Sequence, residues 1–404
     1  FAQGSIVPPS KPSNLLDSAG RIFGKSHPQY ANYATSEIIS VKSQGAAGDG
    51  RTDDTAAIQN VINEYAGCKI IFFDAGSYYV TNTIYIPAGT QIVGEAWSVI
   101  LAGGSNFASQ DTPTVVVQAG EANSQGVLEI SDIIFSTVGP APGAIMIEWN
   151  VHDPSGQQGA AGMWDSHIRL GGAAGTNLQN AQCPSGLVNA NCQAAFLGLH
   201  LTAASSAYLE ACCICFGTWI WTADHDLDAS SSPQLSIFTG RGVLSESAGP
   251  VWMIGTFPTA EHSTLYQYNL VNAQNHWMGF IQTETPYYQP VPAPPGPFFV
   301  DSTYRDPDFP SGLNMAWAVY VQSSHNITLF GGEFYSLFQN YDQGCLDTSS
   351  CQIQIISIDS SSSVTAYCIS TVGTTYQLSV SDTGVIEQSA VGNGLPQTFT
   401  AWSP

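Results

Sequence analysis

Basic side chains are scarce in this chain: nine Lys and Arg stand against 31 Asp and Glu in 404 residues, a formal net charge of −22. Such a field repels polyphosphates and anionic lipids, which excludes nucleic acid and acidic membrane surfaces as partners and leaves neutral ligands such as glycans open. Charge of either sign is thin, at 10% of residues, so polarity comes largely from Ser, Thr, Asn and Gln. That composition suits a secreted, extracellular all-β protein better than a cytosolic helical one. No apolar run is long enough to span a bilayer and no signal peptide is recognisable. The first residue is Phe1 rather than Met, as in a processed mature chain or a fragment.

What is present is a 44% hydrophobic chain rich in glycine, enough for a large core. Residues 1–35, with the run SIVPPSKPSN, have no strong period and are expected to form an extended arm or interdomain linker. Residues 36–404 are expected to form a single domain. One helix is predicted, from about Thr55 to Tyr65, capped by Thr52 or Asp53 and burying Ala57, Ile58, Val61 and Ile62. The nearby Asp49, Asp53 and Asp54 lack the spacing of a calcium-binding EF-hand loop and read better as helix and turn caps.

Beyond the helix, short apolar and β-branched runs such as TVVVQAG, VLEISDIIFST and HNITLFGGEF turn at Gly, Asn, Asp and Ser. A jelly roll or propeller is the alternative, but a sandwich would alternate apolar and polar residues more cleanly. The pattern matches the faces of a right-handed parallel β-helix, with the single helix covering its open end.

The nine cysteines are odd in number. Cys183 and Cys192, and Cys345 and Cys351, each bracket a short polar stretch and are expected to close surface loops as disulfides. Cys212, Cys213 and Cys215 resemble a metal knuckle only superficially, because no second Cys or His pair stands at ligand spacing; no metal or other cofactor is expected. Asn326-Ile327-Thr328 is a sequon for N-glycosylation.

Glu261 and Glu284 are one solenoid coil apart if a coil takes about twenty to thirty residues, which would set them on adjacent strands about 5 Å apart. Around them Trp149, Trp221 and Tyr288 are expected to face a groove as flat apolar platforms for sugar rings. Gln282, and His225 with Asp226, are expected to supply polar contacts to substrate. Pro286 and the segment 290–297 would form a stiff loop over the rim.

VKSQGAAGDGRTDDTAAIQ (41–59) resembles the opening of the pectate-lyase-like β-helix superfamily, a signal for fold rather than activity. GEAWSVI (94–100), GPAPGAIMIEWNVHDPSGQQGAAGMWDSHIRLGGAAGTNL (139–178), WTADHDLD (221–228) and LYQYNLVNAQNHWMGFIQTETPYYQP (265–290) together resemble the C-terminal half of fungal glycoside hydrolase family 55. These are exo-β-1,3-glucanases, or laminarinases. The resemblance implies two tandem β-helix domains with an active site between them, releasing glucose from non-reducing ends of β-1,3-glucan with inversion. The family's general acid matches the Glu of QTETPYYQ, Glu284, and a second pocket carboxylate matches Glu261. The N-terminal half, implied to position the attacking water, has no counterpart here, and ACCICFG (211–217) looks like an insertion.

An inverting pair needs its acid and base about 6.5–9.5 Å apart. Carboxylates on directly neighbouring strands would be closer, so Glu261 is expected to help hold the proton on the acid while the base position stays open. The alternatives are a non-catalytic glucan-binding or structural half of a split enzyme, or a different β-helix polysaccharide hydrolase. Against the last, neither a polygalacturonase nor a pectate lyase motif set is found.

Overall fold

The computed structural model describes residues 10–210, 220–226, 233–255, 262–310, 312–391 and 400–403. Its strands form two long sheets in which neighbours are almost all parallel and, apart from the closing hairpin at the far end, not consecutive in sequence, the signature of a chain wound as a solenoid. The fold is a right-handed parallel β-helix with one helix. Each complete coil lays down a first face, bends, continues along a second face, and crosses to a third. One coil illustrates this: residues 274–279, then 281–284, then Trp317–Gln322. Val, Ile, Leu and Met on the inward positions of all three faces form one continuous core.

The bend between first and second faces is made the same way in successive coils. Ala96, Asp132, Asp165, Phe280 and Cys368 all have φ between 45° and 62°, and Gly255 and Gly331 continue the row. A left-handed residue costs an L side chain roughly 1–2 kcal/mol, yet a single one interrupts the alternation and lets both halves keep their apolar side inward. The coils differ in length because insertions follow Leu170, Thr222, Glu284 and Tyr335. All four leave the second face on its way to the third, so they rise from one edge of the solenoid.

Both ends are closed. The helix spans Thr55–Tyr65 and buries Ile58, Val61 and Ile62, with Ala57 only partly buried. Its Gln59 side chain donates to the Tyr85 carbonyl (3.0 Å) and accepts from the Tyr85 N–H (2.8 Å). Those are the backbone groups that an edge strand leaves open. The residue at the helix cap is Asp54 rather than Thr52 or Asp53. Its carboxylate accepts from the Ala47 and Gly48 N–H groups (2.6 and 2.9 Å), while Asp53 accepts from the Thr55 N–H (3.0 Å). At the far end Thr383–Glu387 and Thr400–Trp402 pair antiparallel with the last coil.

The segment from residue 10 to 35 lies extended along the first face. Leu15 and Phe23 cover a ladder of outward aromatics, Trp164, Tyr208 and Trp252, and the Trp252 indole donates to the Leu15 carbonyl (3.2 Å). Farther along, Lys25 pairs with Glu129 (2.8 Å), and His27 faces Asp132 (3.1 Å) and Asp165 (3.7 Å). The hydrogen bond to Asp132 raises His27 above the usual histidine range against the opposing effect of burial, with the Asp132 charge, the Pro28 carbonyl and Asp165 adding to it. A raised imidazole stabilises the docked arm fully below the unfolded-chain value of about 6.5 and loses that contribution as pH rises through the folded value. His27→Gln should therefore lower the melting temperature more at pH 5 than at pH 8.5; an identical loss at both would show that the ionised pair contributes nothing.

The insertion after Glu284 is pinned by Arg241 and Asp306, an ion pair with neither side chain exposed. The Arg241 Nε donates to Asp306 (2.7 Å), its guanidinium lies 3.9 Å from the Phe196 ring, and a second nitrogen donates to the Phe299 carbonyl (3.1 Å). Removing one partner strands a buried charge, so Asp306→Ala should cost about 3–5 kcal/mol of unfolding free energy, measurable by denaturant titration.

Candidate active site

Glu284 ends the strand Gln274–Glu284 on the outward side, half-buried at the foot of the inserted segments. Its carboxylate accepts a hydrogen bond from the Tyr287 phenol. The Tyr287 ring is held between His262 (4.3 Å between centroids) and Phe338 (4.0 Å). The His262 N–H donates to the Glu284 carbonyl (3.0 Å), so His262 sits one coil from the strand end. Glu261, the carboxylate expected at that spacing, lies outside the described residues.

The next coil presents a second carboxylate. Parallel register sets Gln282 beside Glu333 and Glu284 beside Tyr335, and the Tyr335 phenol donates to Glu333 (2.8 Å). Burial, the bond to Glu333 and the charges of Glu333 and Glu284 together push the Tyr335 phenol up, so it stays a neutral donor. The site is thus two carboxylate–phenol pairs on neighbouring coils. Behind them the backbone is fixed: the Tyr288 hydroxyl meets Thr264 (2.7 Å), and the Gln289 amide bonds the Thr264 carbonyl (2.8 Å) and the Ala316 N–H (2.7 Å).

The inserted segments brace one another above this floor. Disulfides join Cys183 to Cys192 and Cys345 to Cys351. Asn340 and Tyr341 donate backbone bonds to the Gln289 and Tyr287 carbonyls (2.9 and 2.8 Å), tying the second disulfide segment to the site. The Tyr341 hydroxyl meets the Ser236 hydroxyl (2.6 Å) and the Leu235 carbonyl (3.1 Å), and the Ser236 N–H reaches the Cys183 carbonyl (3.0 Å).

Several expected site residues are elsewhere. Trp149 and Tyr288 do not face a groove: they are 0% and 3% exposed, because Trp149 is inward on its strand with its indole spent on the Ser206 carbonyl (2.8 Å), and Tyr288, in the turn after Glu284, packs against the Phe238 ring (4.8 Å between centroids). Gln282 is the exception: it lies at the site, two residues before Glu284 and in register with Glu333, but is buried. His225 pairs with its neighbour Asp224 (3.2 Å), while Asp226 accepts from the Asn180 N–H (2.9 Å) and so ties one insertion to another. Trp221 continues a strand, but its side chain lies outside the described residues, as do Cys212, Cys213 and Cys215. Asn326 is exposed at the start of its strand.

Tyr287 is among the aromatics the sequence offers as sugar platforms, whereas Glu333, Tyr335 and Phe338 are not singled out by sequence. Register is the signal that finds them, and the long insertion after Glu284 hides it. Away from the site, ligating atoms of His27, Asp132 and Asp165 lie within 4.8 Å of one another, accounted for by the arm's ion pairs. Among the described residues no helix is long and apolar enough to cross a membrane.

Stacked parallel coils with a capped end and an outward carboxylate row define a pectate-lyase-like β-helix. Residues 38–160 match the family described as rhamnogalacturonase A/epimerase, pectate lyase-like. Over 96% of its length the chain is 42% identical to a protein of Arthroderma benhamiae named "Probable glucan endo-1,3-beta-glucosidase", covering 44% of that protein. Over 92% it is 43% identical to "Glucan 1,3-beta-glucosidase" of Cochliobolus carbonum, covering 47% of it. The chain is thus similar to named glucan 1,3-beta-glucosidases over nearly all of its own length, and it spans a little under half the length of these relatives. A solved structure of a sacteLam55A variant from Streptomyces sp. SirexAA-E in complex with glucose matches 83% of this chain and 51% of its own at 13% identity and TM-score 0.49.

Tyr341→Phe removes the hydroxyl that joins two inserted segments and should cost about 1–2 kcal/mol in chemical denaturation. An unchanged midpoint would show that the segments stand independently.

Proposed function

We propose that this chain is the acid-bearing part of an inverting β-1,3-glucan hydrolase that releases glucose from non-reducing ends. The observation that carries the reading is Glu284: a half-buried carboxyl group at a strand end, oriented by the Tyr287 phenol, with aromatic edges beside it and no Lys or Arg among the contacts described for it. Glu284 is the general acid, protonating the glycosidic oxygen as the bond to C1 breaks. Glu261 is the neighbouring pocket carboxylate, consistent with the backbone contact of His262 one coil away. A neutral glucan suits the chain's negative field.

The remaining length of the relatives suggests where the rest of the cleft comes from. We place there an N-terminal β-helix half, covalent or cleaved, that supplies the opposite wall and helps to position water. Two disulfides support an extracellular location, and the exposed Asn326 is the position for an N-glycan.

In the full-length enzyme Glu284→Gln should lower kcat on laminarin about 10²–10⁴-fold. Most activity should survive on 2,4-dinitrophenyl β-glucoside, whose leaving group needs no proton, and NMR of wild-type digests should show α-glucose first. Full laminarin activity in Glu284→Gln would remove it as the acid. Glucose release by the isolated chain would end the reading in which it is a non-catalytic glucan-binding part.

A further inference from the structure

Resting on the assignment of Glu284 as acid, we propose that Glu333 is the second carboxylate of the inverting pair, the base that activates water. Four observations carry it. Glu333 and Glu284 occupy alternating positions on paired parallel strands, so both project to the same outward side. They are neighbours by one strand laterally and by two residues along it. Strand spacing of about 4.8 Å and a two-residue rise of about 6.6 Å put their side-chain origins about 8 Å apart. Side chains rooted that far apart can set their carboxyl groups within the window of about 6.5–9.5 Å that an inverting pair needs to hold a sugar and a water. A residue directly opposite Glu284, one coil away, would be about 5 Å from it and leave no room for the water.

Tyr335 is the third observation. It stands in register with Glu284 and donates its hydroxyl to Glu333 (2.8 Å), fixing the rotamer of that carboxylate while leaving it other lone pairs for water. The fourth is backbone support: strand His325–Tyr335 is paired on both sides, with Gln274–Glu284 and with Val364–Val372, so Glu333 sits on a rigid element.

The step balances without any further reagent. Glu284 gives its proton to the glycosidic oxygen, and the C1–O bond breaks with its electron pair going to that oxygen. Water forms the new bond to C1 and passes a proton to the Glu333 carboxylate. The products are α-glucose and a glucan one unit shorter, and bulk solvent returns both carboxyl groups to their starting states.

The test uses the full-length enzyme. Glu333→Gln should lower kcat about 10²–10⁴-fold on laminarin and by a similar factor on 2,4-dinitrophenyl β-glucoside, with KM changed less than about threefold. Azide, which attacks without a base, should restore turnover of the dinitrophenyl substrate and give α-glucosyl azide. Melting temperature checks folding. If Glu333→Gln does not fold, Glu333→Asp, which draws the carboxylate back from the water, should show the same azide response. Near-wild-type kcat, a change in KM alone, or no azide product from a folded variant overturns the assignment. Failure of the acid reading is separable, since it would appear as equal losses for Glu284→Gln on both substrates.

Discussion

In-register parallel stacking of coils is the constraint on which the rest depends. Each strand finds its hydrogen bonds in the coils before and after it, so a side chain's neighbours are set by register rather than by sequence distance. Trp252 meets Trp277 and Glu284 meets Tyr335 for the same reason. The left-handed residue at each bend keeps that register through a change of direction, which is why Asp132, Phe280 and Cys368 accept an unfavourable φ. Extra residues can then leave only where the ladder is interrupted. Here that is the edge between second and third faces, so the insertions gather beside the carboxylates instead of being spread around the solenoid.

Shortage of cations shapes the chemistry. With so few Lys and Arg, several partly buried carboxylates are satisfied by neutral donors, and tyrosine hydroxyls recur in that part: Tyr208 with Glu210, Tyr287 with Glu284, Tyr335 with Glu333. Where a cation is spent it holds architecture, as Arg241 does with Asp306. A phenol orients a carboxylate without adding a fixed positive charge beside it. Carboxyl groups held this way remain free to exchange protons and to accept from sugar hydroxyls.

Local features were legible in the sequence. The helix, the short β-branched strands and both disulfides depend on residues close together in the chain, and the structure has each where the pattern put it. Side-chain direction was not legible. Trp149 and Tyr288 carry the chemistry of a sugar platform, yet in a solenoid an aromatic residue serves the core equally well: the alternation of its strand turns Trp149 inward, and the turn after Glu284 packs Tyr288 against Phe238. Phase is set by the bend residue, whose left-handed backbone leaves no mark when it is Phe280 or Cys368 rather than glycine. Glu333 was hidden for a different reason: the insertion between Glu284 and the next coil removes any constant spacing from which its partner could be inferred.

The same geometry bears on the two-sided cleft proposed above. Outward rows on a solenoid face lie on a gently twisted surface, and such a surface cannot enclose a sugar ring by itself. The braced insertions raise a wall along one edge, tied down by Tyr341 and the Cys345–Cys351 disulfide. Along the opposite edge, across the first face, the arm lies flat, anchored by Leu15, Phe23, Lys25 and His27. It adds apolar cover but little height. In the proposed reading, a substrate resting on Glu284 and Glu333 is gripped from below and from one side, and the remaining wall is the part assigned there to the N-terminal half.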